Sequence, residues 1–272
     1  MPAAGKDMLA RKGGKAGRMK DTLRLEAELF RLALGEVTRI VPPARDDVSE
    51  DLLVRSVKYQ PVIGALVGCL GAAVLWLAGL VLPAAAAVLV AIVAIMLVSG
   101  VRDELGLSVA VDALARETGR EAVLARMARG AGPRGGLAVG LTLALKVVLL
   151  VSFPPGVAAV ALIAGMGLGR MAAVHTAAST VSARKRGMEV LLPGVTPDGY
   201  RVALAGTILA VLALEFVAGA WAGVAAGIGA IALGQAFRIF ALRRLGGYTA
   251  EILGGAALLG ELGTYLGLAV VL

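Results

Sequence analysis

The sequence predicts an all-α fold, a polytopic transmembrane helical bundle of about seven spans with its N-terminus in the cytoplasm. Three observations predict it. Of 272 residues, 58% are hydrophobic and the mean hydropathy is +0.85, above the roughly half-apolar composition of a soluble domain. Aromatic residues make up 4% against 37 glycines, a small-residue composition suited to close helix packing in lipid. The apolar residues gather in runs of about 17 to 25, long enough to cross a hydrocarbon core of about 30 Å as helices.

Taken in order, residues 1–20 are basic, glycine-containing and poor in apolar side chains, and are expected as a disordered basic tail. They lack the apolar core of a cleavable signal peptide. Residues 21–60 read as an amphipathic interfacial segment. Leu23, Leu25, Leu29, Phe30, Leu32, Leu34 and Val37 recur at loosely helical spacing, with Arg24 and Arg31 available to lipid phosphates. A solvated helix with no lipid role is the alternative, and Val41-Pro42-Pro43 ends either one. Residues 61–272 form the transmembrane helical domain. Its spans run approximately over 62–82, 84–101, 135–153, 156–178, 202–221, 222–240 and 251–272.

Basic residues set the orientation. The segment before the first span holds 12 Lys and Arg, the stretch 102–134 holds 6, and the stretch 179–201 holds 4. Arg238, Arg243 and Arg244 cluster at the end of the sixth span, whereas the connections at Pro83, Pro154-Pro155 and Trp221-Ala222 carry none. With seven spans every basic loop falls on one side, which the positive-inside rule makes the cytoplasm. The net charge of +8, placed beside apolar spans, fits a lipid bilayer's anionic head groups or a phosphorylated substrate and points away from nucleic acid. The lone cysteine, Cys69, lies in an apolar run and excludes a disulfide framework.

Ionisable groups at membrane depth are costly and mark function. They are Lys146, Arg170, His175, Glu215, Arg238 and Glu261. Glu215 and Arg238 lie near span ends and can snorkel, and His175 reads as a hydrogen-bonded spacer. Lys146 and Arg170 resist that reading. Asp103, Glu104 and Asp112 bring carboxylates near the end of the second span, where a divalent cation finds oxygen ligands. The turn Gly130, Gly132, Pro133, Gly135 and Gly136 offers open backbone N–H groups at a helix start. Arg243 to Glu251 reads equally as a phosphate and metal subsite or as a basic anchor followed by a turn and a helix capped by Thr249. Asp112-Ala113-Leu114-Ala115-Arg116 lacks the spacing of the CDP-alcohol phosphotransferase signature, and no inverted repeat points to a transporter.

Several motifs, in order from Leu32 onward, resemble the cobalamin synthase family of integral membrane ribazoletransferases. Thr38-Arg39-Ile40 with Pro42 or Pro43 is similar to its TRxP opening, and Ser56 to Gly64 with Gly68 to the lead of its first span. Lys146, Arg170, Ala183-Arg184 and Gly187 stand where the family has a span lysine, a span arginine and an AR-x-x-G loop. Gly246 to Gly254 and Glu261 resemble GGxTGDxLGA and its following glutamate. The departures fall in the acidic motif. Where the family has H-x-D-G-L-A-D-x-x-D-G, the stretch Asp103 to Ala113 keeps Gly106, Leu107 and Asp112 but has Asp103 for His and Leu105 and Val109 for Asp. The later M-K-D stretch corresponds to Met127-Ala128-Arg129, without its acid.

The resemblance implies that adenosylcobinamide-GDP is joined to α-ribazole or its 5'-phosphate, releasing GMP in cobalamin (vitamin B12) biosynthesis at a bacterial or archaeal inner membrane. It implies Asp103, Asp112 and Glu251 as catalytic residues, and Lys146, Arg170, Arg184 and Thr249 as contacts to the corrinoid and nucleotide-type substrates. Mg2+ would sit on Asp103, Asp112, Glu251 and Glu261, and other cobalamin-pathway enzymes are expected as partners. The alternative is a catalytically silent member, a corrinoid-binding or assembly scaffold in the membrane.

Overall fold

The structure, a computed structural model, describes residues 4–40, 48–183 and 194–272. Among the described residues the secondary structure is helical apart from one isolated bridge, Ser182 with Tyr248. Helix α1 covers Ala4–Val37. It takes in residues 4–20, read from composition as disordered, together with most of the interfacial segment. Its Ala, Leu, Lys, Arg, Met and Glu are strong helix formers, and that outweighs Gly13-Gly14.

A short helix α2 (Glu50–Ser56) and a 3₁₀ turn (Val57–Tyr59) lead into α3 (Gln60–Gly79). Helices α4 (Ala84–Ser99) and α5 (Arg102–Arg116) meet at an 86° bend. The short α6 (Arg120–Met127) precedes α7 (Pro133–Ser152), α8 (Pro155–Ala178), α9 (Pro197–Ala218), α10 (Ala220–Leu245) and α11 (Ala250–Val271). Pro133, Pro155 and Pro197 open their helices, where a missing N–H costs nothing. Gly246, at φ 65°, ends α10 in the left-handed region.

Among the described residues six helices are long and apolar enough to cross a membrane, and seven if the bent pair α4–α5 is one span. The difference from seven straight spans lies at α4. Its 16 residues reach about 24 Å, and the chain then turns sharply instead of running on.

The bundle is organised around α8 and α11, whose apolar windows are 78% and 67% buried, whereas those of the other spans are 22–33% buried. The outer helices turn Trp76, Leu97, Leu141, Ile208, Phe216 and Ile228 outward, as lipid contact requires. Helices α10 and α11 approach at backbone distance. A Cβ on Gly263 would sit 2.7 Å from the Gly229 carbonyl carbon and 3.1 Å from Ala230 Cα, the small-residue packing that brings backbones together in lipid.

Candidate functional site

The site begins at the corner between α4 and α5. Gly100 and Val101 both adopt left-handed backbone, at φ 75° and 61°, and for a β-branched residue that conformation is a strained outlier. The segment after α1 holds the corner in place. The Arg39 N–H donates to the Val98 carbonyl at 2.8 Å and its guanidinium to the Gly100 carbonyl at 3.2 Å. From the other side, Arg102 donates to the carbonyls of Gly35, at 2.9 Å, and Glu36. A cation thereby meets the exposed carbonyl end of α1. Of the TRxP-like residues, Arg39 is thus a fastener of the turn that presents Asp103 and Glu104, while Thr38 bonds back to the Leu34 carbonyl at the end of α1.

From the first turn of α5, Asp103 Oδ2 receives the Arg170 guanidinium of α8 at 2.5 Å. Gly64 of α3 makes room, since a Cβ there would lie 2.7 Å from Arg170 Cγ. Lys146 of α7 and Glu261 of α11 pair at 2.7 Å, and Tyr265, one turn on, donates to the same Glu261 oxygen at 2.7 Å. The Tyr265 ring lies against Gly165 of α8, where a Cβ would stand 2.6 Å from the ring. Four of the expected residues, Asp103, Lys146, Arg170 and Glu261, thus come together where α5, α7, α8 and α11 meet. Lys146 and Arg170, expected as contacts to the corrinoid and nucleotide-type substrates, are both buried against carboxylates. Glu104, buried beside them, keeps one carboxylate oxygen without a hydrogen-bond partner, and so does the Arg170 Nε–H.

The other expected residues lie apart. Asp112, fully buried on α5, accepts from the Gly132 and Gly135 N–H groups at 2.6 and 2.9 Å, with Arg126 at 3.9 Å. The glycine turn read as an open phosphate cradle is therefore filled by the protein's own carboxylate, which caps α7. Thr249 caps α11, its hydroxyl accepting from the Ile252 N–H at 3.4 Å. Of the two readings of Arg243 to Glu251, this geometry carries the anchor, turn and capped helix. Arg244 reaches the Leu114 and Glu117 carbonyls. Glu251 stands partly exposed in the first turn of α11, close to α5, because Gly106 lets the Glu251 carbonyl approach to 3.0 Å of where a Cβ would be.

The loop after α8 is strapped to the turn before α11. Ala183 N–H donates to the Tyr248 carbonyl at 2.8 Å and Tyr248 N–H to the Val181 carbonyl at 2.9 Å, and Arg120 of α6 donates to the Ala183 carbonyl at 2.6 Å. Burial raises the Tyr248 hydroxyl above its ordinary pKa. Arg184 lies outside the described residues.

Among the described residues no group of three or more His, Cys, Asp and Glu side chains gathers to hold a metal ion. The four acids expected on Mg2+ do not form one cage. Asp103 and Glu261 are matched by fixed cations, Asp112 Oδ2 by backbone amides while its Oδ1 makes no hydrogen bond, and the Leu105 and Val109 side chains offer no oxygen. Reading the residues alone missed Tyr265, whose spacing of four from Glu261 was the available signal.

Residues 29–269 match the family model described as cobalamin-5-phosphate synthase. The chain is 33% identical over 248 residues to the adenosylcobinamide-GDP ribazoletransferase of Shewanella frigidimarina, covering 89% of this chain and 94% of the relative. The protein of the same name from Leptothrix cholodnii is 32% identical over 250 residues, with coverages of 89% and 95%. One from Shewanella baltica is 32% identical over 256 residues, with coverages of 93% and 97%. No solved structure matches.

Proposed function

The chain belongs to the cobalamin-5-phosphate synthase family, and on that premise we propose that it is a membrane-embedded adenosylcobinamide-GDP ribazoletransferase of cobalamin synthesis. A hydroxyl of α-ribazole, or of its 5'-phosphate, attacks the phosphorus that links cobinamide to GDP. The new P–O bond forms as the bond to GMP breaks, GMP leaves with the electron pair, and the hydroxyl proton passes to a base. The observation that carries this reading is the family match over residues 29–269.

In this reading, charge neutralisation and positioning supply the catalysis, as phosphoryl chemistry generally requires. What supports Glu251 as the proton acceptor is its partial exposure, in contrast to the buried Asp103 and Asp112. Asp103, Lys146, Arg170 and Glu261 then fix the helices around it, and Asp112 and Thr249 hold the starts of α7 and α11. Corrinoid and nucleotide substrates enter from the basic side, which positive-inside bias assigns to the cytoplasm of a cell with these loops facing inward. Other enzymes of cobalamin synthesis are the expected neighbours in the membrane.

A second reading, a catalytically silent scaffold that binds a corrinoid, is favoured by one observation: Leu105 and Val109 stand where the family motif has acids. Purified protein in lipid, given adenosylcobinamide-GDP, α-ribazole and Mg2+, is expected to yield a cobamide and GMP. No product beside an active relative assayed in parallel refutes the enzyme, and corrinoid binding without turnover selects the scaffold.

A further inference from the structure

A divalent cation held by a protein needs carboxylate oxygens that are both convergent and free. Mg2+ in particular keeps several waters and is fixed by one or two carboxylates, commonly together with phosphate oxygens of a substrate. The buried charges of this chain are arranged otherwise. Asp103 Oδ2 is taken by the Arg170 guanidinium at 2.5 Å, and Glu261 Oε1 by both the Lys146 ammonium at 2.7 Å and the Tyr265 hydroxyl at 2.7 Å. Both cationic side chains are buried, and each is anchored on a different helix from its partner. A metal entering between these pairs would have to break a buried ion pair to gain a carboxylate, which leaves a buried cation uncompensated.

The neighbouring positions close the alternatives. Leu105 and Val109 carry no oxygen donor, and Asp112 Oδ2 is consumed by the Gly132 and Gly135 amides. Glu104 retains an unpartnered carboxylate oxygen, and Asp112 Oδ1 has only Arg126 at 3.9 Å, but among the described residues no three such side chains converge, so a cation would depend on ligands brought by another molecule.

We infer that the substrate-free protein holds no divalent cation at this site, because Arg170 and Lys146 already neutralise the carboxylates that a resident metal would need. A cation would then enter only with a phosphate-bearing ligand.

The test uses Mn2+ as the probe, measured by the loss of its free electron paramagnetic resonance signal on adding the full-length protein in zwitterionic lipid, with no substrate present. Wild type is expected to deplete no more Mn2+ than protein-free lipid. Depletion of one Mn2+ per chain, reversed by excess Mg2+, overturns the inference. Arg170→Gln removes the guanidinium and leaves Asp103 free, and is expected to bind Mn2+ at least about tenfold more tightly than wild type, a difference of about 1.4 kcal/mol. A folded Arg170→Gln protein with unchanged Mn2+ binding also overturns it. If that variant fails to fold, the wild-type titration still decides. Because the readout is cation binding without substrate, its outcome is separate from that of the turnover assay.

Discussion

Lys146 Nζ and Glu261 Oε1 lie 2.7 Å apart, between side chains only 2% and 5% exposed, and this pair fastens α7 to α11 at the middle of both helices. Breaking a buried pair from one side leaves an uncompensated charge, at a cost of about 3–5 kcal/mol, whereas replacing both members by apolar groups is often neutral. Lys146→Met and Glu261→Met are each expected to lower the unfolding temperature in detergent sharply. The double variant should recover most of the loss. Tyr265→Phe, which deletes one hydrogen bond to the same oxygen, should cost about 1 kcal/mol. Equal losses in the single and double variants would show that the two residues do not act as a pair.

Asp112 is expected to behave as a helix cap. Asp112→Ala removes the acceptor of both the Gly132 and Gly135 N–H groups and should destabilise the protein by about 1–2 kcal/mol, while Asp112→Asn keeps an acceptor oxygen and should lose less. Gly135→Ala should cost more than Asp112→Asn, because a Cβ there would lie 2.6 Å from Asp112 Oδ2 in a crowded turn. Chemical denaturation monitored by circular dichroism ranks the three. An Asp112→Asn loss as large as that of Asp112→Ala would argue for a role that needs the negative charge itself.

The spans were legible in the sequence because seven apolar runs separated by basic or proline-marked breaks leave little freedom: α8 and α11 begin within one residue of where hydropathy starts them. The corner after α4 was not. No local pattern forecasts a valine at φ 61°, because Arg39 and Arg102 stabilise that turn through carbonyls some sixty residues away along the chain. The site was half legible for the same reason. Lys146, Arg170 and Glu261 stood out as charges that hydrocarbon does not tolerate idly, but the identity of each partner depends on how four helices pack. Asp112, expected as a metal ligand, accepts through Oδ2 from the glycine turn twenty residues on, a partnership that no local pattern announces.

The docking of α1 carries a pH signature. Glu26 Oε2 accepts from Lys58 at 2.6 Å and from the Tyr59 hydroxyl at 2.6 Å. These contacts, Lys58 first, hold its carboxyl below the ordinary 4.5. A depressed folded value means the stabilisation is present above about pH 4.5 and is lost as pH falls through the lower folded value. Spin labels at Leu23→Cys and Ala205→Cys, in a Cys69→Ala background, are expected to keep a narrow distance distribution at pH 6 and to broaden below pH 4. Glu26→Gln should abolish this pH dependence, and broadening that persists in Glu26→Gln would assign the transition to another group.

If Glu251 accepts the proton of the attacking hydroxyl, Glu251→Gln should lower kcat by about 10²–10⁴-fold while corrinoid binding is kept, since the backbone of α11 and the Thr249 cap are untouched. The pH profile offers the sharper check. The acidic limb of kcat against pH should disappear in Glu251→Gln, because no group is left at that position whose deprotonation the reaction awaits. A variant with full activity and an unchanged acidic limb would remove Glu251 from the chemistry.

Orientation follows from where the arginines lie relative to the turns. Arg116, Arg129, Arg134 and Arg243 are exposed at one end of the bundle, and the turn at Leu80 to Pro83, exposed at the other, holds no charge. Positive-inside bias predicts that the arginine end faces the cytoplasm. In a Cys69→Ala background, Leu80→Cys is expected to react with a membrane-impermeant maleimide on intact cells, and Ala131→Cys only after the membrane is permeabilised. The opposite pattern would reverse the orientation, and with it the side from which the nucleotide and corrinoid substrates enter. Labelling of both cysteines on intact cells would instead mean that the protein inserts in two orientations, which the charge difference between the two ends should prevent.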